Sequence, residues 1–275
     1  MTIAVAIRTA SALVFAADSK LTTLGYIGLE EDGKPRFVEQ TFDNATKVVH
    51  DISETLMAMV AGAANIGNTQ ATDYISKTNL ESMRYSTKQE EEVEKLARNM
   101  MEEKRQYWET TKVPPDQWPG PTVFVAAPSS DGRVPRAWRI LLDGQHPRVS
   151  EVLDSPDIRL EGSYDETLGL LFGYEPKVVE GIAKELGIEE KRIWEAAKKM
   201  PVLRPIDKLN LSAMPLQDAI DLAVFLAKVQ VQMDRFLPGP PACGGPIDVM
   251  VLRMAPRPSI LVYPGKTLHH PDSQR

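Results

Sequence analysis

The chain has 275 residues, of which 43% are hydrophobic and 25% are charged, as in an ordinary soluble protein long enough to bury a core. Its formal net charge of −6 argues against nucleic acid as the main partner, because no basic block offsets the negative charge. The single cysteine, Cys243, excludes an intramolecular disulfide, and no apolar run approaches the ~18 residues of a membrane span. Since no signal-peptide layout is present either, we expect a cytoplasmic protein.

The first twenty residues predict a β-hairpin. Two apolar runs rich in branched side chains, residues 3–7 and 12–17, flank a polar bend, and Asp18 ends the second run. Thr2 follows the initiator Met1, and a small second residue allows an aminopeptidase to remove that methionine. A free N-terminal threonine carries a hydroxyl nucleophile and an α-amine with a reference pKa of about 7.7–8.0, which can take the hydroxyl proton. Many proteins begin Met-Thr without this chemistry, so Thr2 alone does not identify an enzyme.

Strand-like and helix-like patterns alternate along the rest of the chain. Strands are predicted at residues 47–52, 55–61, 122–127, 137–143, 149–153, 158–160, 247–254 and 259–262. Helices are predicted at residues 65–82, 87–111, 165–172, 176–186, 188–200 and 216–235. Residues 21–42 predict a loop or a small extra hairpin, the prolines of 112–121 exclude a helix, and the polar tail 264–275 is expected to be flexible. These patterns indicate a fold with α and β elements in several layers.

Four motifs follow one another along the chain. They are the hairpin closing on Asp18-Ser19-Lys20, then Thr46-Lys47-Val48-Val49, then Met59-Val60-Ala61-Gly62-Ala63-Ala64-Asn65, and finally Gly244-Gly245-Pro246-Ile247-Asp248-Val249-Met250-Val251-Leu252. As a set they resemble the proteasome β-subunit family of N-terminal-nucleophile (Ntn) hydrolases, closest to the bacterial branch that includes Anbu and HslV. The resemblance covers most of the chain, and no single motif carries it.

The resemblance implies one Ntn-hydrolase domain over residues 1–275, with an α+β fold built as a four-layer α/β/β/α sandwich. The link at residues 21–42 is longer than in the family, so it is interpreted as an insertion beside the expected site. Residues 173–210 have no counterpart in the family and are interpreted as a second, helical insertion.

The resemblance also implies roles for four residues. Thr2 would be the nucleophile, and Lys47 would lower the energy of the developing alkoxide. Asp18 would hold Lys47, and Gly62 would donate its backbone N–H to the oxyanion. Without the resemblance to the family, Lys47 would be interpreted as a solvated lysine at a strand start, Asp18 as a turn residue and Gly62 as the end of a strand.

Three further positions take their roles from the same resemblance. Ala64 falls where the main specificity pocket has its floor, which suggests an open pocket. Ser163 matches a serine that hydrogen-bonds the terminal amine, and Asp234 matches a supporting acid. The chain departs from the family after Asp234, because a longer link leads to Gly244 and Cys243 stands where serine is more usual. Cys243 is interpreted as a small buried residue rather than a nucleophile.

The expected activity is that of a threonine-type peptidase, which hydrolyses peptide bonds through an acyl-enzyme on Thr2 after removal of Met1. No metal or cofactor is predicted, because the four histidines are scattered and no phosphate-binding loop occurs. The resemblance implies a homo-oligomer, as a ring or a spiral, and leaves room for an ATP-driven unfoldase that no residue here indicates. Two alternatives remain open. One is a small-amide hydrolase or transpeptidase of the same fold, and the other is a non-catalytic scaffold subunit that keeps Met1.

Overall fold

A computed structural model describes residues 2–29, 35–54, 56–66, 69–78, 83, 86–111, 120–173, 176–199 and 205–263. Within them the strands are β1 (Ile3–Arg8), β2 (Ala12–Asp18), β3 (Leu21–Leu29), β4 (Pro35–Phe42), β5 (Val48–His50), β6 (Met57–Gly62), β7 (Asn65–Ile66), β8 (Thr69–Gln70), β9 (Pro121–Pro128), β10 (Pro135–Leu141), β11 (Arg148–Val152), β12 (Ile158–Gly162), β13 (Ile247–Arg253) and β14 (Ser259–Tyr263). The α-helices are α1 (Ala71–Ser76), α2 (Gln89–Thr111), α3 (Asp165–Phe172), α4 (Pro176–Leu186), α5 (Glu190–Lys199) and α6 (Leu216–Asp234). Met1, residues 30–34 of the predicted loop or hairpin 21–42, the prolines within 112–119 and the tail 264–275 lie outside the described residues.

The strands form two five-stranded antiparallel sheets in the described part of the chain. The first sheet has the order β12-β1-β2-β13-β14, and the second has the order β11-β10-β9-β6-β5. The pairs β3-β4 and β7-β8 are separate two-stranded sheets. No helix among the described residues is both long and apolar enough to cross a membrane.

Successive side chains of a strand point to opposite sides of its sheet. The central strands β1, β2, β6 and β9 are buried on both sides. On β1, Val5 packs in a cluster with α6, whereas Ala6 belongs to a cluster shared with the second sheet. Phe15 of the first sheet meets Phe124 of the second edge-on, with ring centroids 6.3 Å apart. The other face of the second sheet packs against α1 and α2. Coverage on both sides explains why β1 and β2 are continuous apolar runs rather than alternating ones.

Most of the predicted elements are present. The N-terminal hairpin forms, α3 and α4 have the predicted bounds, and β3 pairs with β4 inside the segment predicted as a loop or small hairpin. The helix predicted over residues 65–82 is wrong for its first part, where β7 and β8 pair before the short helix α1 begins. The partial apolar face that suggested one long helix combined Ile66 of β7 with Ile75 of α1, which are both buried but on different elements.

Candidate active site

Thr2 is held at the start of β1 through its backbone. It is only 3% exposed, and the Ser163 N–H donates to the Thr2 carbonyl oxygen at 2.7 Å. Gly162, the register partner of Ile3, passes so close that a Cβ on it would lie 1.8 Å from the Thr2 oxygen. Its φ of +91° also favours glycine. The end of β12 therefore holds Thr2 in a way that no larger residue at position 162 would permit.

Asp18, the last residue of β2, is fully buried and accepts four hydrogen bonds. Its Oδ1 accepts from the Ile3 N–H at 3.1 Å and from the Lys47 ammonium at 2.7 Å. Its Oδ2 accepts from the Gly244 N–H at 2.9 Å and from the Lys20 N–H at 3.2 Å. One carboxylate oxygen thus links the amide that follows Thr2 directly to a lysine charge.

Lys47 lies just before β5 and is almost completely shielded from water, with 6% exposure. A buried ammonium is tolerated only when it is paired, and the Asp18 carboxylate supplies the opposite charge. The Lys47 carbonyl accepts from the Val60 N–H at 2.9 Å, which attaches the lysine to β6. Because β6 ends at Gly62, the same strand connects the cation to the expected oxyanion donor.

Gly62 has a φ of +79°, a conformation that glycine adopts at no steric cost. A Cβ at this position would meet only the Gly120 carbonyl oxygen, at an ordinary distance of 3.8 Å. The requirement for glycine is therefore conformational rather than steric.

A small cleft, partly open to solvent, joins these residues on one surface. Thr2, Lys47, Gly62 and Ala64 all line it. Its other polar lining residues are Lys20, Thr22, Thr46, Gln70 and Thr72. The Ala64 carbonyl accepts from the Ala71 N–H at 2.8 Å, so the start of α1 fixes the far wall of the cleft. Four of the predicted site residues therefore share one opening.

Asp234 does not line this cleft. At the end of α6, its Oδ1 accepts from the Gln230 side chain at 3.0 Å and its Oδ2 accepts from the Cys243 N–H at 2.8 Å. The next N–H along the chain, that of Gly244, donates to Asp18. Asp234 thus supports the backbone segment that in turn supports Asp18, so its connection to Thr2 is indirect.

Cys243 is 1% exposed and packs in the cluster between the first sheet and α6. Burial raises the pKa of its thiol well above the usual range, and the carboxylates of Asp18 and Asp234 add to the rise while Lys47 opposes it. The thiol is therefore protonated at neutral pH, which does not suit a nucleophile.

Sequence reasoning did not identify three backbone contacts of this site. The Ile3 N–H to Asp18, the Gly162 approach to Thr2 and the Gly244 N–H to Asp18 all join segments that are distant in sequence. The only available signals were the glycine before Ser163 and the Gly-Gly pair of the last motif. Among the described residues, no group of three or more His, Cys, Asp or Glu side chains could hold a metal ion.

The chain is structurally similar to a solved protein, an Anbu (Gly-1) mutant from Hyphomicrobium sp. strain MC1. The TM-score is 0.49 at 16% sequence identity, and the match covers 92% of this chain and 82% of that one. No family model and no curated protein matches the sequence.

Proposed function

We propose that this protein is a threonine-type N-terminal-nucleophile peptidase, which hydrolyses peptide bonds through an acyl-enzyme on Thr2 once Met1 is removed. One observation carries the proposal. Oδ1 of Asp18 accepts both from the amide directly after Thr2 and from the buried Lys47 ammonium. A residue that can become the chain terminus is thereby linked to a shielded positive charge beside an open cleft.

Acylation would begin when the free α-amine of Thr2 takes the proton of its own hydroxyl. Oγ1 attacks the substrate carbonyl carbon, and the carbonyl oxygen becomes an oxyanion that accepts from the Gly62 N–H. A single donor of this kind is worth roughly 2.7–4 kcal/mol of the barrier. Lys47 stabilises the developing negative charge on Oγ1. The C–N bond then breaks, the leaving amine takes the proton from the α-amine, and an ester to Thr2 remains.

Deacylation would reverse these proton movements. The α-amine takes a proton from water, the hydroxide attacks the ester carbon, and Gly62 again donates to the oxyanion. Collapse of this intermediate breaks the ester bond, and Oγ1 recovers its proton. In this scheme Ser163 fixes Thr2 through its N–H and can hydrogen-bond the terminal amine through its hydroxyl. Asp234 is a positioning residue that acts through Cys243 and Gly244.

The proposal extends to the architecture. The three core clusters, two between a sheet and its helices and one between the sheets, support a four-layer α/β/β/α sandwich. Assembly into a homo-oligomeric ring or spiral, with room for an ATP-driven unfoldase, follows from the sequence resemblance. Mass photometry of the purified protein tests the assembly, and a single species at 30.5 kDa would contradict it.

The deciding experiment is intact mass before and after exposure to an epoxyketone or a β-lactone that reacts with N-terminal threonine. We expect loss of Met1 and one covalent adduct that maps to Thr2. Thr2→Ala should give no adduct, and Thr2→Ser should retain a slower one. Retained Met1 without an adduct would overturn the proposal in favour of the scaffold. An adduct without turnover across a panel of short fluorogenic peptides would favour a dedicated small-amide hydrolase or transpeptidase.

A further inference from the structure

The charge balance of the cleft points to the class of substrate. Two lysines line it, whereas no Asp or Glu is among the described lining residues. The charge of Lys47 is compensated by the Asp18 carboxylate. The Lys20 ammonium has no carboxylate partner within the described part of the chain. Among the described residues, Lys20 is therefore the lining residue whose positive charge has no carboxylate partner.

Lys20 is held at the cleft by its backbone and by its aliphatic stem. Its N–H donates to Asp18 Oδ2 at 3.2 Å. The same carboxylate accepts from Lys47 through Oδ1. Its stem runs along Gly244, where a Cβ would lie 3.3 Å from the Lys20 Cδ. A glycine at position 244 thus leaves room for the lysine, and partial burial strengthens the effect of its charge relative to bulk water.

The remaining polar lining consists of neutral hydrogen-bonding groups. Thr22, Thr46, Gln70 and Thr72 can donate to a carboxylate, and none of them carries a charge that would repel one. An acidic group would meet a cation and neutral donors here, whereas a basic group would meet two ammonium groups and, among the described lining residues, no carboxylate.

We propose that Lys20 selects peptide substrates with Glu or Asp at the residue whose carbonyl is attacked, because the side chain of that residue enters the cleft beside Thr2. This specificity rests on the peptidase activity proposed above. Lys20 is a substrate-binding residue in this scheme, and its ammonium pairs with the substrate carboxylate.

The test separates binding from catalysis. Two labelled peptides, capped at both ends and differing only by Glu or Gln at that residue, are bound to the Thr2→Ala protein and followed by fluorescence anisotropy. We expect the Glu peptide to bind roughly three- to tenfold more tightly at low salt, with a smaller ratio at high salt. The caps ensure that the side chain carries the only carboxylate, which excludes recognition of a free C-terminus.

Three variants of the Thr2→Ala protein identify the source of the preference. Lys20→Gln should bring the Glu-to-Gln ratio close to one, and Lys20→Arg should restore it. Lys228→Gln removes the same charge from an exposed position on α6 and should leave the ratio unchanged. Equal binding of both peptides, no binding of either, or a preference that survives Lys20→Gln would each overturn the inference.

Failure of the parent proposal has a different signature. Without any Thr2 adduct the peptidase function is wrong, whatever the two peptides do. With a Thr2 adduct and equal turnover of Glu and Gln peptides, the peptidase function stands and the acidic specificity is wrong. In an active enzyme we expect the ratio of kcat/KM values to follow the binding ratio.

Discussion

The Asp18 carboxylate and the Lys47 ammonium are 2.7 Å apart, and their side chains are 0% and 8% exposed. A pair so shielded from water is costly to form but much more costly to break, because removal of one partner leaves a buried charge without its counter-charge. Since Asp18 also accepts three backbone amides, the same carboxylate organises the fold and the cleft.

Asp18→Asn should therefore lower the free energy of unfolding by about 3–5 kcal/mol, because Lys47 loses its carboxylate in a buried place. Urea denaturation followed by circular dichroism measures this change. The double variant Asp18→Asn/Lys47→Met removes both charges and should recover part of the stability, since an apolar replacement of a buried pair is often neutral. It should form no Thr2 adduct. An Asp18→Asn protein as stable as the wild type would show that the pair is not buried as described.

Gly62→Ala tests whether the backbone conformation at the cleft affects the chemistry. A Cβ has room there, so the cost should come only from the positive φ, about 1–2 kcal/mol of stability. Gly144→Ala is a matched control, with a φ of +69° and nothing within 4 Å. Thermal unfolding should show similar losses for both variants. Only Gly62→Ala should slow adduct formation, by roughly tenfold to hundredfold, because relief of the strained φ would shift the N–H that is the proposed oxyanion donor. Equal rates of adduct formation in the two variants would contradict the proposal that the Gly62 N–H is the oxyanion donor.

Cys243 should resist thiol reagents in the native protein. Its raised pKa keeps the thiol protonated, and its burial blocks access. Labelling with iodoacetamide at pH 8, read by intact mass, should be slow and should accelerate sharply once urea unfolds the chain. Because the unfolded thiol ionises and the folded one does not, stability should also fall as the pH rises above the ordinary cysteine pKa of about 8.5. Rapid labelling without denaturant would contradict the assigned burial.

Lys104 of α2 is 1% exposed and donates to the Leu142 carbonyl, and burial lowers its pKa although Asp143 opposes the shift. Between this lowered pKa and the unfolded value of about 10.4, the unfolded chain binds more protons than the folded one. Stability from this group therefore rises with pH across that window.

The difference between the wild-type Tm and the Tm of Lys104→Met should shift in favour of the wild type as the pH is raised from neutral towards 10. The variant lacks the group whose charged form is penalised, and differential scanning fluorimetry across this range measures the difference. Lys95→Met, at an exposed position on the same helix, should have a Tm that changes with pH as the wild-type Tm does. A Tm difference for Lys104→Met that does not change with pH would contradict the shift.

The sequence predicts those parts of this protein in which the pattern is local. The apolar arms of β1 and β2 and the long periodic face of α6 each fit one template, so their bounds fall within a residue or two of the predicted ones. Residues 65–76 fit neither a helix nor a strand template, because a two-residue strand is too short to show a period. Ile66 of that strand also has the spacing of part of a helical face.

The candidate site also contains residues that a local sequence pattern predicts and contacts that no local pattern predicts. Asp18, Lys47 and Gly62 are marked by residue type inside short motifs, whereas the partners of Asp18 are backbone amides that leave no trace in composition. Asp234 is known from the sequence only by its place at the end of a helix. Its position along the chain predicts a supporting role in the site, and its carboxylate accepts from the Cys243 N–H, a contact that no sequence pattern indicates.

The bond from the Gly244 N–H to the Asp18 carboxylate spans 226 residues of sequence and also has a consequence in time. At roughly 5–20 residues per second, a ribosome needs on the order of 11–45 s to go from one partner to the other. Throughout that interval the hairpin that carries Thr2 exists without β13 beside it and without the last donor to Asp18. The growing polypeptide therefore carries an Asp18 carboxylate that lacks one of its backbone donors until residue 244 has been synthesised.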